Sequence, residues 1–230
     1  MQADLGRLIK AIILLTSEGN RVFSRNSILT LLGPGYLNHI GRLVEDGLLA
    51  ALGEYYVVKV PRVVLLTMAP GSVVDKLTEY ISWREFEEFI TYALDNVGFR
   101  SFTNIRIYAG RFRGEFDVIS YRGSDVVVVE AKHWLSMGED EVKAIAVKHS
   151  AKVNMLARNW DALLRKIIIM PREASLYPIV VTLRDIKTMI YEGVPVVSFT
   201  RLMDFLRNFD DVKNSLTKYQ ASAPVFFRHR

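Results

Sequence analysis

A valine-rich run, Asp125-Val126-Val127-Val128-Val129-Glu130-Ala131-Lys132, ends in two charges and follows Gly114-Glu115-Phe116-Asp117-Val118-Ile119-Ser120 across a short polar turn. Side chains alternate along a strand, so Glu130 and Lys132 share a face with Val126 and Val128 at the end of a buried run. If Gly123-Ser124 is a two-residue hairpin turn, Arg122 pairs with Asp125, and the same register sets Asp117 directly opposite Glu130. A three-residue turn would instead set Asp117 against Val129 and flip it to the other face. Two carboxylates whose Cβ atoms lie ~5 Å apart repel each other unless a proton or a cation sits between them. The pair therefore reads as a metal seat. A hard dication such as Mg²⁺ takes oxygen ligands, keeps several waters, and uses one or two protein carboxylates plus phosphate oxygens of a substrate. Lys132, beside it, could hold an attacking water or neutralise charge building on phosphorus. Metal-assisted phosphodiester hydrolysis is the chemistry to expect, with Mn²⁺ as a substitute for Mg²⁺.

Asp117, twelve intervening residues and then Glu130-Ala131-Lys132 closing a valine-rich strand resembles the PD-(D/E)xK nuclease superfamily, with Phe116 where the named pattern has proline. Residues 83–200 fit it best. Trp83-Arg84-Glu85-Phe86-Glu87-Glu88 through Val97-Gly98-Phe99 is similar to the helix preceding the core hairpin in the Mrr-type restriction endonuclease-like and Holliday-junction-resolvase-like branches. The resemblance implies an α/β, restriction-endonuclease-like mixed sheet flanked by helices. It also implies Mg²⁺-dependent cleavage of DNA, metal ligation by Asp117, Glu130 and the carbonyl of Ala131, and catalysis by Lys132. The preceding helix should add one acidic group, and the choice lies between Glu87 and Glu88. With Phe86 at the centre of the apolar face, Glu87 falls at about 100°, on the border of that face, and Glu88 at about 200°, toward solvent. Glu87 is the better placed to meet a metal through water.

These residues need a scaffold, and periodicity supplies its outline. Residues 1–62 read as a winged helix-turn-helix: an apolar-periodic helix over 5–15, a helix opened by Asn26-Ser27, a third carrying Leu37, Ile40, Leu43 and Val44, and two short strands over 48–52 and 55–60. Residues 63–82 read as a connector, with a strand at 63–68 and a short helix from about Ser72. Residues 83–230 form the nuclease-like domain: a helix to Val97, strands near Ile105, 116–120 and 126–132, and a helix around 140–158. Strands at 167–170, 179–182 and 194–198 and a terminal helix over 201–209 complete it.

Several cations are placed to meet a polyanion, each with a plainer role beside it. Lys148 and Lys152 are four apart on one flank of the apolar stripe Val142, Ile145, Ala146, His149, Val153 and Leu156, suited to phosphate contacts or to a solvated face. Arg111 and Arg113 precede Asp117 and reach either a DNA backbone or only water. In the third helix Tyr36, Asn38, His39 and Arg42 are polar candidates for DNA contact, although winged helices also serve as packing modules. His133 and Trp134 flank the motif as packing residues, and no catalytic role is assigned to His133.

Composition sets the outer bounds. The chain has 230 residues, 50% hydrophobic and 24% charged, as a folded protein should. Without cysteine, disulfides, thiolate nucleophiles and zinc–thiolate sites are excluded, and four scattered histidines leave oxygen as the main metal donor. The apolar run over 8–15 is broken by Lys10 and falls far short of the ~20 residues that span a bilayer. A cytoplasmic protein with no membrane partner is expected. The +5 charge leans modestly toward DNA. The sequence thus supports a DNA endonuclease, for which a symmetric homodimer is the simplest way to cut both strands. The alternative is an inactive DNA-binding or regulatory protein on the same scaffold, but such a protein has no physical reason to keep two apposed carboxylates beside a lysine.

Overall fold

The computed structural model describes residues 2–133, 138–184, 187 and 189–223. The chain divides into two compact units, Met1–Phe89 and Ile90–Arg230. Among the described residues no helix is long and apolar enough to cross a membrane.

The first unit opens with α1 (Gln2–Leu15), which buries Leu8, Ile9, Ile12 and Ile13 and leaves Arg7 and Lys10 outside. Strand β1 (Val22–Ser24) leads into α2 (Arg25–Leu32), where the Ser24 hydroxyl accepts the Ser27 N–H at 3.0 Å and so satisfies a helix-start donor. Helix α3 (Leu37–Glu45) buries Ile40 and Leu43, and β2 (Leu49–Leu52) and β3 (Tyr55–Val58) make a hairpin whose turn uses Gly53 at φ +60°. With β1 on the other side of β3, the antiparallel order is β1-β3-β2.

The expected strand at 63–68 is instead helical: α4 (Arg62–Thr67), followed by α5 (Gly71–Leu77). Its valines suit a strand, but Pro61 caps the helix start at φ −52° and burial of Val63 and Leu66 follows helical spacing. Arg62 anchors this helix from a buried position. Its guanidinium grips Glu85 through Nε (2.5 Å) and Nη2 (2.9 Å) and donates to the carbonyls of Ile13, Thr16 and Tyr80. Helix α6 (Trp83–Asp95) carries Glu85 and crosses the division between the units; its apolar face holds Phe86, Phe89, Ile90, Ala93 and Leu94.

In the second unit β4 (Arg100–Ala109), β5 (Phe112–Arg122) and β6 (Asp125–Lys132) form consecutive antiparallel hairpins. Helix α7 (Glu139–Arg158), α8 (Trp160–Lys166) and β7 (Glu173–Thr182) follow, with β7 parallel to β6. Next come β8 (Met189–Tyr191), β9 (Val194–Ser198), α9 (Phe199–Arg207), α10 (Phe209–Val212) and β10 (Tyr219–Ser222). The sheet order is β4-β5-β6-β7-β9-β8, with β10 antiparallel to β7, giving a seven-stranded mixed sheet flanked by helices as the α/β reading expected.

Three sequence expectations need correction here. Residues 167–170 make no strand: only Ile167 and Met170 of that apolar run are buried, while Ile168 is 84% exposed. The neighbouring strand is longer than 179–182, because Pro178 does not break β7 but pairs with Val128 across a parallel ladder. The terminal helix begins at Phe199 and is interrupted at Asn208.

Candidate active site

The β5–β6 ladder runs from Arg122↔Asp125 to Val118↔Val129, the register that a two-residue turn at Gly123-Ser124 requires, with Gly123 at φ +60°. Asp117 and Glu130 are the next positions along that register. Pairing also lapses on the other side of Asp117: β4 and β5 pair at Thr103↔Val118 and at Ile105↔Phe116, while the intervening Asn104 takes φ +53°. Asp117 thus sits at a break in both ladders, where its carboxylate can replace a backbone acceptor. It does so by accepting the Ala131 N–H on Oδ2 at 2.7 Å.

Val126 to Val129 are buried on both faces of the sheet, so Glu130 and Lys132 emerge only where β6 ends. Glu130 gathers cations. Its Oε1 accepts from Lys132 Nζ at 2.7 Å and its Oε2 from Lys152 Nζ at 2.5 Å, the latter reaching in from α7. His149, also on α7 and 1% exposed, bonds the Val128 carbonyl through Nε2 at 2.8 Å and turns Nδ1 toward Glu130 Oε2 at 3.5 Å. Burial pushes the Asp117 carboxyl up; the Ala131 N–H opposes this, the adjacent Glu130 charge reinforces it, and the net shift is upward. Burial also penalises Glu130, yet His149, Lys132 and Lys152 together hold it well below the usual carboxylate range. Beside these groups lies a cavity of about 260 Å³ lined by Glu130, Lys132, Ile145, Lys148, His149 and Lys152.

The sequence-derived residues divide accordingly. Asp117, Glu130, Ala131, Lys132 and Lys152 come together directly, and Lys148 lines the same cavity. Arg111 lies in the β4–β5 turn and Arg113 on β5, both exposed. Glu87 is buried and accepts the Trp83 indole N–H at 2.7 Å, whereas Glu88 is half exposed and held by Arg21, the split that helical phase expected. On and just before α3 in the first unit, Asn38 and Arg42 are exposed and Tyr36 is half-buried. Trp134 lies outside the described residues. In the sequence His149 falls within the apolar stripe of α7, and a polar ring inside that stripe is the signal of its contact with Glu130.

Among the described residues no group of three or more His, Asp or Glu side chains is gathered as a metal cage. What is present is a pair of carboxylates in which one charge disfavours ionisation of the other. That donor set fits a hard cation that completes its shell with water and substrate oxygens. With Asp117 and Glu130 balanced by Lys132 and Lys152, an added dication leaves the cluster positive, a state that suits a phosphodiester.

The sequence matches no protein-family profile and none of the curated proteins compared with it. Two solved structures share a distant likeness. Protein VC1899 from Vibrio cholerae is 11% identical over 93% of this chain, with a TM-score of 0.36. Can2 from Sulfobacillus thermosulfidooxidans, solved in complex with cyclic tetra-adenylate, is 12% identical over 91%, with a TM-score of 0.35. The chain spans about half the length of each, 53% and 51% respectively.

Proposed function

We propose that this protein is a metal-dependent DNA endonuclease that hydrolyses phosphodiester bonds. The observation that carries the reading is the convergence of Asp117, Glu130, Lys132 and Lys152 at the end of β6, beside a lysine-walled cavity. Mg²⁺, or Mn²⁺ in its place, held by Asp117, Glu130 and the Ala131 carbonyl, would supply Lewis-acid polarisation of the phosphate and a lowered pKa for water. The chain's own groups do the rest. The Ala131 N–H fixes the Asp117 carboxylate, so little reorganisation is needed when substrate arrives. Lys132 orients the attacking water and offsets negative charge as the new P–O bond forms and the bond to the leaving oxygen breaks. Lys148 and Lys152 take non-bridging phosphate oxygens. Glu87 is the acidic residue contributed by α6.

The reading includes DNA as partner, recognition through Tyr36, Asn38 and Arg42 of the winged helix and backbone contacts from Arg111 and Arg113. A cytoplasmic location and a symmetric dimer for double-strand cuts complete it. Its test is incubation of the purified full chain with labelled linear, branched and modified DNAs in Mg²⁺, Mn²⁺ or EDTA. Cleavage in either metal, absent in EDTA and in Glu130→Ala, is the expected result; intact DNA under every condition overturns the reading.

A further inference from the structure

Both oxygens of the Glu130 carboxylate are occupied by ammonium groups, Oε1 by Lys132 and Oε2 by Lys152. Lys152 arrives from a different element and is itself held in place: its Nζ also donates to the Glu115 carbonyl at 2.9 Å and lies 5.2 Å from the centre of the Phe116 ring. The ion pair is partly shielded, with Lys152 26% and Glu130 17% exposed. A dication that takes Glu130 must therefore push away an ammonium that already neutralises it, and must leave that half-buried ammonium with the Glu115 carbonyl but without its hydrogen-bonded counter-charge. The cavity supplies the missing partner. Lys132, Lys148 and Lys152 line it against the single carboxylate of Glu130, so an anion entering it gives Lys152 a new acceptor at the moment Glu130 is released.

We infer that Lys152 occupies Glu130 in the free protein and yields it when a phosphodiester enters the cavity, so that metal and DNA bind cooperatively. This rests on the nuclease reading, and it adds an order to that chemistry: metal is recruited by substrate rather than stored. Coupling between two ligands is reciprocal, so DNA binding tightens with metal by the same factor.

The test measures Mn²⁺ binding to the full chain by electron paramagnetic resonance at 4 °C, alone and with a short DNA duplex, while cleavage is followed in the same tubes. Wild type should bind Mn²⁺ about 10-fold tighter or more when the duplex is present. Lys152→Met keeps an apolar stem over Phe116 but removes the competing cation. It should bind Mn²⁺ alone about 5-fold tighter than wild type and show little further gain with the duplex. Lys152→Arg should restore weak binding of metal alone. A lysine that merely lay near the metal could tighten metal binding when lost but would leave the gain with the duplex unchanged. If Lys152→Met fails to fold, Lys152→Gln, which keeps a donor near the Glu115 carbonyl and removes the competing charge, carries the same expectation. Equal Mn²⁺ affinity with and without duplex, or no tightening in the folded variant, overturns the inference. Cleavage together with uncoupled Mn²⁺ binding overturns it while leaving the nuclease intact. Coupled binding without cleavage overturns the nuclease reading instead, and absence of Mn²⁺ binding in every state overturns both.

Discussion

Ala131 donates its backbone N–H to Asp117 Oδ2 at 2.7 Å, across the end of the β5–β6 ladder. A side-chain carboxylate thus meets a backbone N–H just beyond the last paired residues, Val118 and Val129, and the contact orients the acid. Half-buried and next to Glu130, this carboxylate is costly to ionise in the absence of a cation.

Replacing either carboxylate separates chemistry from stability. Asp117→Ala, Glu130→Ala and Lys132→Ala should each lower metal-dependent cleavage by about 100-fold or more while circular dichroism stays native. Asp117→Asn keeps an acceptor for Ala131 and removes the repulsion, so it should be inactive yet melt a few degrees higher than wild type without metal at pH 7. Full activity in all three alanine variants would remove the site.

Glu85 should make the protein acid-sensitive. Burial favours its neutral form, but the hydrogen bonds and charge of Arg62 outweigh that, so its folded pKa lies below the ordinary value. The stability it contributes is complete above the unfolded value of about 4.3 and is lost as pH falls through the lower folded value. Glu85→Gln strands the Arg62 charge and should cost about 3–5 kcal/mol at pH 7. Thermal melts at pH 7 and pH 3 should show the gap between the variant and wild type narrowing at the lower pH. A constant gap would mean that Glu85 does not titrate with folding.

The α6 glutamates should rank by helical phase. Glu87→Gln is expected to lower kcat/KM by about 10-fold, the usual cost of losing an acid that acts through water on a metal site. Glu88→Gln breaks only a half-exposed pair with Arg21 and should change it little. The reverse order would transfer the role to Glu88.

Arg42 tests recognition. Arg42→Ala should weaken DNA binding at every sequence tried and lower the salt slope by about one, as loss of one phosphate contact requires. Unchanged affinity and slope would make α3 a packing helix.

Much of the site was legible because it is local. A two-residue turn leaves one register, and with it the sequence places Asp117 and Glu130 on neighbouring strands and Lys132 on the face of Glu130. One period of 100° per residue likewise separates Glu87 from Glu88. Residues 63–68 misled because Val63, Val64, Leu65 and Leu66 suit either period, and the choice was made by packing and by the anchored Arg62. Pro178 hid half of β7 because a proline breaks a strand only where its missing N–H is needed.

The sequence by itself determined the acid pair, its lysine and the α/β order of the second unit, since each follows from turn length and periodicity within a few residues. Tertiary structure alone decided that Lys152 and His149 meet Glu130, the lysine from 22 residues away. That meeting depends on how α7 lies on the sheet, a long-range choice made by burial of Val142, Ala146 and Val153 rather than by any local pattern. It is also what turns a repelling carboxylate pair into a neutralised site whose charge rises when a cation binds.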